Sequence, residues 1–313
     1  MYIGIDLGGT NIAAALVDKN GVILKRAGVP TGTDGGAKNV TDRIQSVCET
    51  LTENEASPIS IGVGVPGTVN DETGEVIFTP NLPLSGVNIA GELKKKYECP
   101  VHIGNDANCA ALGETVAGGA KGARDVVFIT LGTGVGGGII LNRRLHTGVN
   151  GAAGELGHMV IIAGGRACGC GRKGCWERYA SASGLIETAN EFMKTHSDSK
   201  LWELCGGESE KVNGRTVFDA YRTGDRVAKL TVEQYVEHLA TGIVDIINIL
   251  EPELFCVGGG ISNAWDCLSE PLKAAVDAEK YTRFSLQSPQ TSIVKAALGN
   301  DAGIIGAAFL GNR

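Results

Sequence analysis

The chain opens on two apolar runs separated by a glycine turn, YIGIDLGGTNIAAALV at residues 2–17. The turn is Gly8-Gly9-Thr10, and a second turn, Asp18-Lys19-Asn20-Gly21, leads into another apolar run at residues 22–25. Turns rich in glycine and asparagine between apolar runs indicate antiparallel hairpins. The first 25 residues therefore predict a three-stranded meander.

A second stretch repeats this format, VVFITLGTGVGGGIILNRR at residues 126–144. An apolar strand again runs into a glycine turn, Gly132-Thr133-Gly134, and a returning strand follows at residues 136–141. A third short strand is expected after Asn142-Arg143-Arg144. Two copies of one unit, about 125 residues apart, predict two structurally related halves.

Elsewhere, strand patterns alternate with helix patterns. Apolar spacing predicts helices at 40–54, 90–97, 106–117, 183–196, 217–221, 231–250 and 301–310, and strands at 59–65, 101–104 and 254–257. This alternation is typical of an α/β fold with both sheet faces covered by helices. For 313 residues we expect two domains. They are a small N-terminal domain (1–113 plus 301–313) and a large domain (114–300) with a metal-bearing loop at 155–177, joined by a hinge near 107–125.

Charge and composition exclude several classes of partner. The net charge of −7 argues against nucleic acid or an anionic membrane as the main partner. No apolar run approaches the roughly 18 residues of a membrane span, and the first residues lack a signal-peptide pattern. Six of the nine cysteines are scattered, which indicates reduced thiols in a cytoplasmic protein.

The glycine turns are candidate phosphate-binding loops. Asp6-Leu7-Gly8-Gly9-Thr10-Asn11 combines an acid at a strand end with two glycines and a hydroxyl. Backbone N–H groups and the Thr10 hydroxyl can point at a phosphate, and Asp6 can sit near Mg²⁺ through a water molecule. An ordinary hairpin turn explains this motif equally well by itself. The second turn, over Gly132, Thr133 and Gly134, favours the phosphate interpretation because a hairpin needs fewer small residues.

A third glycine run, Gly258-Gly259-Gly260, follows an apolar strand and precedes a helical stretch. Such a junction can present a helix N-terminus and a flat surface to a nucleotide. None of the turns matches the Walker motif or the dinucleotide fingerprint. Two strand–turn–strand halves with glycine turns resemble the actin-like and sugar-kinase ATPase fold, which implies two related α/β domains whose turns close on the ATP phosphates across a cleft.

A carboxylate lies between a predicted strand and helix, in Ile103-Gly104-Asn105-Asp106-Ala107-Asn108. Asp106 can simply cap the helix, a role that would keep it ionised and fixed in direction. Such a carboxylate can accept the proton of an attacking hydroxyl, since phosphoryl transfer needs only a modest base. Asn105 can orient sugar hydroxyls. Gly67 follows a strand, and Asn81 lies in a turn where a plain turn residue is the alternative.

Four residues form a metal-ligand pattern, H-x9-C-x-C-x4-C, at His158, Cys168, Cys170 and Cys175. Three thiolates and one imidazole suit a closed tetrahedral zinc site, which has no open position for catalysis. Buried or redox thiols are the alternative.

Two acids, Glu155 and Glu177, lie within three residues of a predicted metal ligand, His158 or Cys175. We expect zinc to fold this loop so that Glu155, His158 and Glu177 face the substrate. Solvated surface acids are the alternative.

Together these motifs resemble the ROK family of repressors and sugar kinases, in particular its glucose kinases. The matching motifs are DLGGT at 6–10, NDAN at 105–108, LGTGVGGG at 131–138, GELGH at 154–158 and CGCG with GCWE within 168–177. The resemblance runs from residue 2 to the helix that begins near Asp301. It implies phosphorylation of the 6-hydroxyl of a hexose, glucose first, by ATP with Mg²⁺, and one structural Zn²⁺.

The resemblance also implies roles for individual residues. Asp106 would be the base. The sugar site would be lined by Gly67, Asn81, Asn105, Asp106, Glu155, His158 and Glu177. The nucleotide would be bound by Asp6, Gly8, Gly9, Thr10, Asn11, Gly132, Thr133, Gly134, Gly258, Gly259 and Gly260. Zinc would be held by His158, Cys168, Cys170 and Cys175.

Several alternatives stay open. Family kinases of N-acetylmannosamine, N-acetylglucosamine or fructose share these motifs, and the sequence leaves open whether ATP or polyphosphate is the donor. A non-catalytic sugar-sensing regulator is the alternative from another class. Family repressors carry an extra N-terminal helix-turn-helix, whereas the first strand here begins at Tyr2, so we expect no DNA binding. Family members are commonly dimers or tetramers, and we expect a homodimer or homotetramer.

Overall fold

The computed structural model describes residues 1–284 and 290–312 of a mixed α/β chain. Its strands are β1 (Tyr2–Leu7), β2 (Asn11–Val17), β3 (Ile23–Pro30), β4 (Ser60–Val65), β5 (Thr68–Asn70), β6 (Glu75–Phe78), β7 (Val87–Asn88), β8 (Val101–Asn105), β9 (Val126–Leu131), β10 (Val135–Leu141), β11 (Arg144–Leu145), β12 (Leu254–Gly258) and β13 (Ser292–Lys295). Its helices are α1 (Gly36–Thr52), α2 (Ile89–Lys94), α3 (Asp106–Ala117), α4 (Glu177–Ala180), α5 (Ala182–Met193), α6 (Lys200–Leu204), α7 (Gly214–Arg222), α8 (Arg226–Leu250), α9 (Trp265–Glu279) and α10 (Asp301–Ala308).

Two five-stranded sheets share one strand order. The first has the order β3-β2-β1-β4-β8 and the second β11-β10-β9-β12-β13. In the first sheet β1 is antiparallel to β2 and parallel to β4, which is itself parallel to β8. In the second, β10 is antiparallel to β11 and β12 is parallel to β13. The two related halves predicted from the repeated glycine-turn unit are therefore confirmed.

A short antiparallel sheet, β5-β6-β7, follows β4 and was not predicted from the sequence. Helices α4 and α6 and strand β13 were not predicted either. The elements that had predicted ranges lie close to them, and β1 and α3 begin and end at the predicted residues. The long helix α8 begins five residues before its predicted start, because Asp225 caps it by accepting the Ala228 N–H.

The chain divides into two compact units. The first comprises Met1–Phe128, Gly137–Gly154 and Ala296–Arg313, and the second Ile129–Gly136 and Glu155–Lys295. In the first unit, buried apolar residues of β1, β4 and α1 form the core, and α3 packs against α10. In the second, α8 packs against α5, α7 and α9. The predicted domain boundaries and hinge stay predictions, since packing in one conformation does not test a hinge.

Over the two described ranges, the helices fall short of the combined length and apolar character that crossing a bilayer requires.

Candidate active site and metal centre

The start of α3 carries the candidate catalytic carboxylate. The Oδ1 of Asn105 accepts the N–H of Asn108 at 3.1 Å, and its Nδ2 donates to the carbonyl of Gly67 at 3.1 Å. Asp106 is the first residue of the helix, and its Oδ1 accepts the N–H of Ala107 at 2.8 Å. Asn105, and not Asp106, is therefore the helix cap, and its amide ties the helix start to Gly67.

Asp6 lies near Asp106 and has a perturbed acidity. Burial first, and the negative charge of Asp106 second, raise the pKa of Asp6 to about 6. The Asp6 carboxylate also faces Gly303, in the first turn of α10. Two neighbouring carboxylates repel one another, and a cation that prefers oxygen ligands, such as Mg²⁺, relieves that repulsion. The donor set around Asp6 therefore fits the predicted Mg²⁺.

The first glycine turn is tight and exposed. Gly8 donates its N–H to the carbonyl of Asn11 at 3.0 Å, and the Thr31 hydroxyl donates to the Gly8 carbonyl at 2.6 Å. Gly9, Thr10 and Asn11 are exposed. The turn is thus supported from behind by Thr31, and its outer residues are accessible to a ligand.

The other residues of the first unit that were predicted to bind sugar lie in different connections between strands. Gly67 lies between β4 and β5, whereas Asn81 is exposed in the connection between β6 and β7. A cavity of ≈ 10 Å³ lies beside Asn105 and is also lined by Asn108, whose Oδ1 is buried and has no hydrogen-bond partner. Motif matching gave Asn108 no role, although it is the last residue of the NDAN motif.

A larger cavity, of ≈ 510 Å³, lies in the second unit. Gly132 and Thr133 of the second glycine turn and Gly260 of the third line it together. Its volume falls within the roughly 300–1,000 Å³ of small-molecule pockets. Gly258 is instead buried at the end of β12. Gly259, with a φ of 82°, turns the chain between Gly258 and Gly260. The structure thus brings parts of two predicted nucleotide-binding turns to one cavity.

Helix α7 forms a wall of this cavity that the sequence did not reveal. The wall residues are Arg215, Phe218, Asp219 and Arg222. Arg222 donates to Asp219 at 3.0 Å and makes two bonds of 2.9 Å with Asp266 of α9. These bonds hold the pKa of Asp266 at about 2. The sequence predicted a helix only at 217–221, and spacing alone does not say which face of a helix lines a cavity.

The four predicted zinc ligands come together in the second unit. Their ligand atoms all lie within 4.8 Å of one another. The sulfurs of Cys170 and Cys175 are 3.6 Å apart, and the sulfur of Cys168 is 3.7 Å from Nδ1 of His158. A tetrahedral zinc with Zn–S bonds of about 2.3 Å separates its sulfurs by about 3.8 Å. The cluster therefore has the composition and spacing of a zinc site.

The three thiols differ in acidity. Burial raises the pKa of Cys168 to about 12 and also raises the pKa of Cys175, whereas a hydrogen bond from the Arg172 backbone lowers the pKa of Cys170. A thiol must lose its proton to bind zinc, so metal binding must offset the cost at the two buried positions.

Both flanking acids lie next to His158. Oε2 of Glu155 is 4.0 Å from Nε2 of the imidazole, and Oε1 of Glu177 is 3.7 Å from Nδ1. Because Nδ1 faces the thiols, Nε2 stays available for another hydrogen bond while Nδ1 binds a metal. Oε1 of Glu177 also accepts a hydrogen bond from the Cys168 thiol at 3.0 Å. A Cβ at Gly134 would lie 2.7 Å from Oε2 of Glu177, so this carboxylate also reaches the second glycine turn.

The chain is similar to known proteins in sequence and in fold. The sequence profile of the ROK family matches residues 2–313. Glucokinases from Thermotoga maritima and Halalkalibacterium halodurans are 38% and 37% identical to this chain, over 98% and 99% of it and 96% and 94% of their own lengths. The structure of a ROK family glucokinase from Streptomyces griseus, in complex with glucose and AMPPNP, matches with a TM-score of 0.78 at 34% identity, covering 99% of this chain and 98% of the other. The chain therefore belongs to the ROK family and has the actin-like ATPase fold of its sugar kinases.

Proposed function

We propose that this protein is an ATP-dependent hexose kinase that converts glucose to glucose 6-phosphate. The placement of Asp106 carries the proposal: the carboxylate starts a helix capped by Asn105 and is held by the Ala107 N–H. The similarity to glucokinases over nearly the whole chain supports glucose as the substrate.

The proposed reaction is a single phosphoryl transfer. Asp106 accepts the proton of the sugar 6-hydroxyl while that oxygen bonds to the γ-phosphorus of ATP. The bond from this phosphorus to the bridging oxygen of ADP breaks, and ADP leaves with the electron pair. Catalysis then consists mainly of positioning and charge neutralisation, for which a modest base suffices.

The proposed sugar-binding residues are Gly67, Asn81, Asn105, Asp106, Glu155, His158 and Glu177. Asn105 already uses both ends of its amide for the helix cap and Gly67, so its main contribution is to hold Asp106 in place. His158 can offer Nε2 to a sugar hydroxyl while Nδ1 binds zinc.

The nucleotide is proposed to use the glycine turns. The cavity beside Gly132, Thr133 and Gly260 would take the nucleoside, and the exposed turn from Gly8 to Asn11 would bind phosphate oxygens. Gly134, Gly258 and Gly259 would shape the second and third turns. Mg²⁺ held through water near Asp6 would neutralise phosphate charge, and Zn²⁺ on His158 and the three cysteines would stabilise the loop without taking part in the chemistry.

A coupled assay with the purified protein tests this function. We expect glucose 6-phosphate to form from glucose and MgATP, and Asp106→Asn to lower kcat by about 10²–10⁴-fold with glucose binding retained. Asp42→Asn, an exposed change on α1, is the matched control and should leave kcat unchanged. Near-normal turnover by Asp106→Asn would refute the assignment of the base.

The same assay separates the alternatives. A panel of glucose, mannose, fructose, N-acetylglucosamine and N-acetylmannosamine, each with ATP or polyphosphate, identifies the acceptor and the donor. Glucose binding without consumption of either donor would favour a sugar-sensing regulator. The homodimer or homotetramer and the cytoplasmic location remain proposals, and light scattering of the purified protein tests the assembly.

A further inference from the structure

Within the metal-bearing loop, backbone hydrogen bonds close the segment at residues 159–176 on itself. The N–H of Trp176 donates to the carbonyl of Met159 at 2.7 Å, and the N–H of Gly174 donates to the carbonyl of Arg166 at 2.8 Å. These backbone bonds shape the loop. They do not attach it to the helices that follow.

Arg166 makes that attachment with side-chain bonds in several directions. Its side chain is 15% exposed. Its guanidinium donates to the carbonyl of Arg178 in α4 at 3.0 Å, and in α5 to the hydroxyl of Thr188 at 3.1 Å and to Glu191 at 2.8 Å. Glu187, also in α5, lies 3.4 Å from Nε. One side chain thus joins the loop to two helices.

Tyr179 strengthens the same attachment. Its hydroxyl accepts the backbone N–H of Arg166 at 2.6 Å, and the guanidinium lies 4.9 Å from the centre of its ring. A planar guanidinium can stack on a ring and donate in its own plane at the same time, which a lysine ammonium cannot do. The site therefore uses the shape of arginine as well as its charge.

The helix so held, α4, begins at Glu177, and it is also anchored on its other side. The indole of Trp176 is fully buried and donates to the carbonyl of His238 at 2.9 Å, and the Tyr235 hydroxyl donates to the carbonyl of Ala180 at 2.6 Å. The hydrogen bonds to His238 and Tyr235 of α8 therefore hold α4 itself. Arg166 is the connection from α4 and α5 back to the loop that carries Cys168.

We infer that Arg166 is a positioning residue that holds the metal-bearing loop against α4 and α5 independently of zinc, so that Glu177 and the zinc ligands keep their mutual placement. The consequence for glucose rests on the proposed function, because Glu177 and His158 are proposed sugar ligands. Without the Arg166 side chain, the loop would keep its backbone bonds but lose its side-chain attachment to α4 and α5. Both the metal and the sugar would then be held less well.

The test compares Arg166→Met and Arg166→Lys with Lys194→Met, which removes an exposed charge immediately after α5. Zinc release from the holoenzyme to a chromogenic chelator should be about 10-fold faster in Arg166→Met, as expected when a residue that supports metal ligands is lost. The KM for glucose should rise by a similar factor while the KM for ATP stays unchanged. Arg166→Lys should recover only part of either effect, and Lys194→Met should match the wild type.

Hydrogen exchange gives a readout that does not need turnover. After zinc removal, amides of residues 159–176 should exchange about 10-fold faster in Arg166→Met than in the wild type, as loss of an anchoring contact lowers the cost of local opening. Wild-type rates of zinc release and exchange in a folded Arg166→Met protein would overturn the inference. If Arg166→Met does not fold, the same measurements on Arg166→Lys decide. If the wild type does not phosphorylate glucose, the proposed function fails, while zinc release and exchange still decide the role of Arg166.

Discussion

Asp6 is half-buried and lies close to Asp106, so that burial first, and the charge of the second carboxylate next, raise the pKa of Asp6 to about 6. The two acids have separate proposed roles, one toward a cation and one toward a hydroxyl. The negative charges of the two carboxylates repel one another, which disfavours ionisation of Asp6. Binding of Mg²⁺ would favour the ionised form of Asp6 and relieve this repulsion.

This pair predicts how stability depends on pH without nucleotide or added Mg²⁺. The folded pKa of Asp6, about 6, exceeds its ordinary value of 3.8, so the folded state binds more protons between these values. Asp6 therefore lowers the free energy of unfolding as pH rises from about 4 to 6, by at most about 3 kcal/mol. Urea unfolding at pH 4.5 and 7 measures this decrease in the free energy of unfolding. Asp6→Asn should remove the decrease and should be more stable than the wild type at pH 7. An identical pH dependence in both proteins would contradict the shifted pKa.

Removal of the cap at Asn105 should cost stability and turnover together. Asn105→Ala loses the bonds to Asn108 and Gly67, and the cap alone is worth about 1 kcal/mol. Asn105→Ser keeps a cap acceptor but not the bond to Gly67, so it should recover stability while kcat stays reduced. Urea unfolding and steady-state kinetics check both. Full activity in Asn105→Ala would show that this amide does not position Asp106.

Gly242→Ala should destabilise the protein although it lies inside helix α8. Alanine normally stabilises a helix relative to glycine by about 1 kcal/mol. Here a Cβ would overlap the buried indole of Trp176, and such overpacking costs about 1–3 kcal/mol. The midpoint of thermal unfolding should therefore fall, whereas Glu237→Ala, on the exposed face of the same helix, should leave it nearly unchanged. A rise of the midpoint in Gly242→Ala would contradict the packing.

Arg222→Met should affect nucleotide binding more than stability. Arg222 and Asp266 are 42% and 60% exposed, and exposed ion pairs contribute little to folding. The pair nevertheless fixes a side chain in the wall of the larger cavity. We expect the KM for ATP to rise several-fold, with the KM for glucose and the unfolding midpoint nearly unchanged. A change in the KM for glucose alone would indicate that the nucleoside does not bind in this cavity.

Cys168→Ser should remove the metal. Elemental analysis of the purified wild type should find about one zinc per chain, and that of the variant almost none, because a structural zinc site needs all four ligands. Cys99→Ser, outside the cluster, is the control and should retain its zinc. Equal zinc in the wild type and Cys168→Ser would exclude this set of ligands.

Sequence reasoning succeeded where the chemistry is local. The range of α3 and the approach of the four zinc ligands follow from nearby residues, namely a cap, an apolar spacing and a cysteine pattern. The choice of Asn105 over Asp106 as the cap was not resolved, because both residue types cap helices and only the backbone path separates them.

Other features depend on contacts between distant parts of the chain. The strands β5, β6 and β7 have three, four and two residues, too few for a periodic pattern. The α7 wall depends on which helix face meets the glycine turns, and the attachment by Arg166 depends on groups up to 25 residues away. Neither can be read from spacing alone.

The matched sheets differ at a position that bears on the proposed function. Strands β1 and β9 each have six residues and end in leucine before a glycine, and their penultimate residues are Asp6 and Thr130. The shared strand order therefore brings an acid to the first glycine turn and a hydroxyl to the second. Under the proposed function, the cation would be held at the first turn and not at the second.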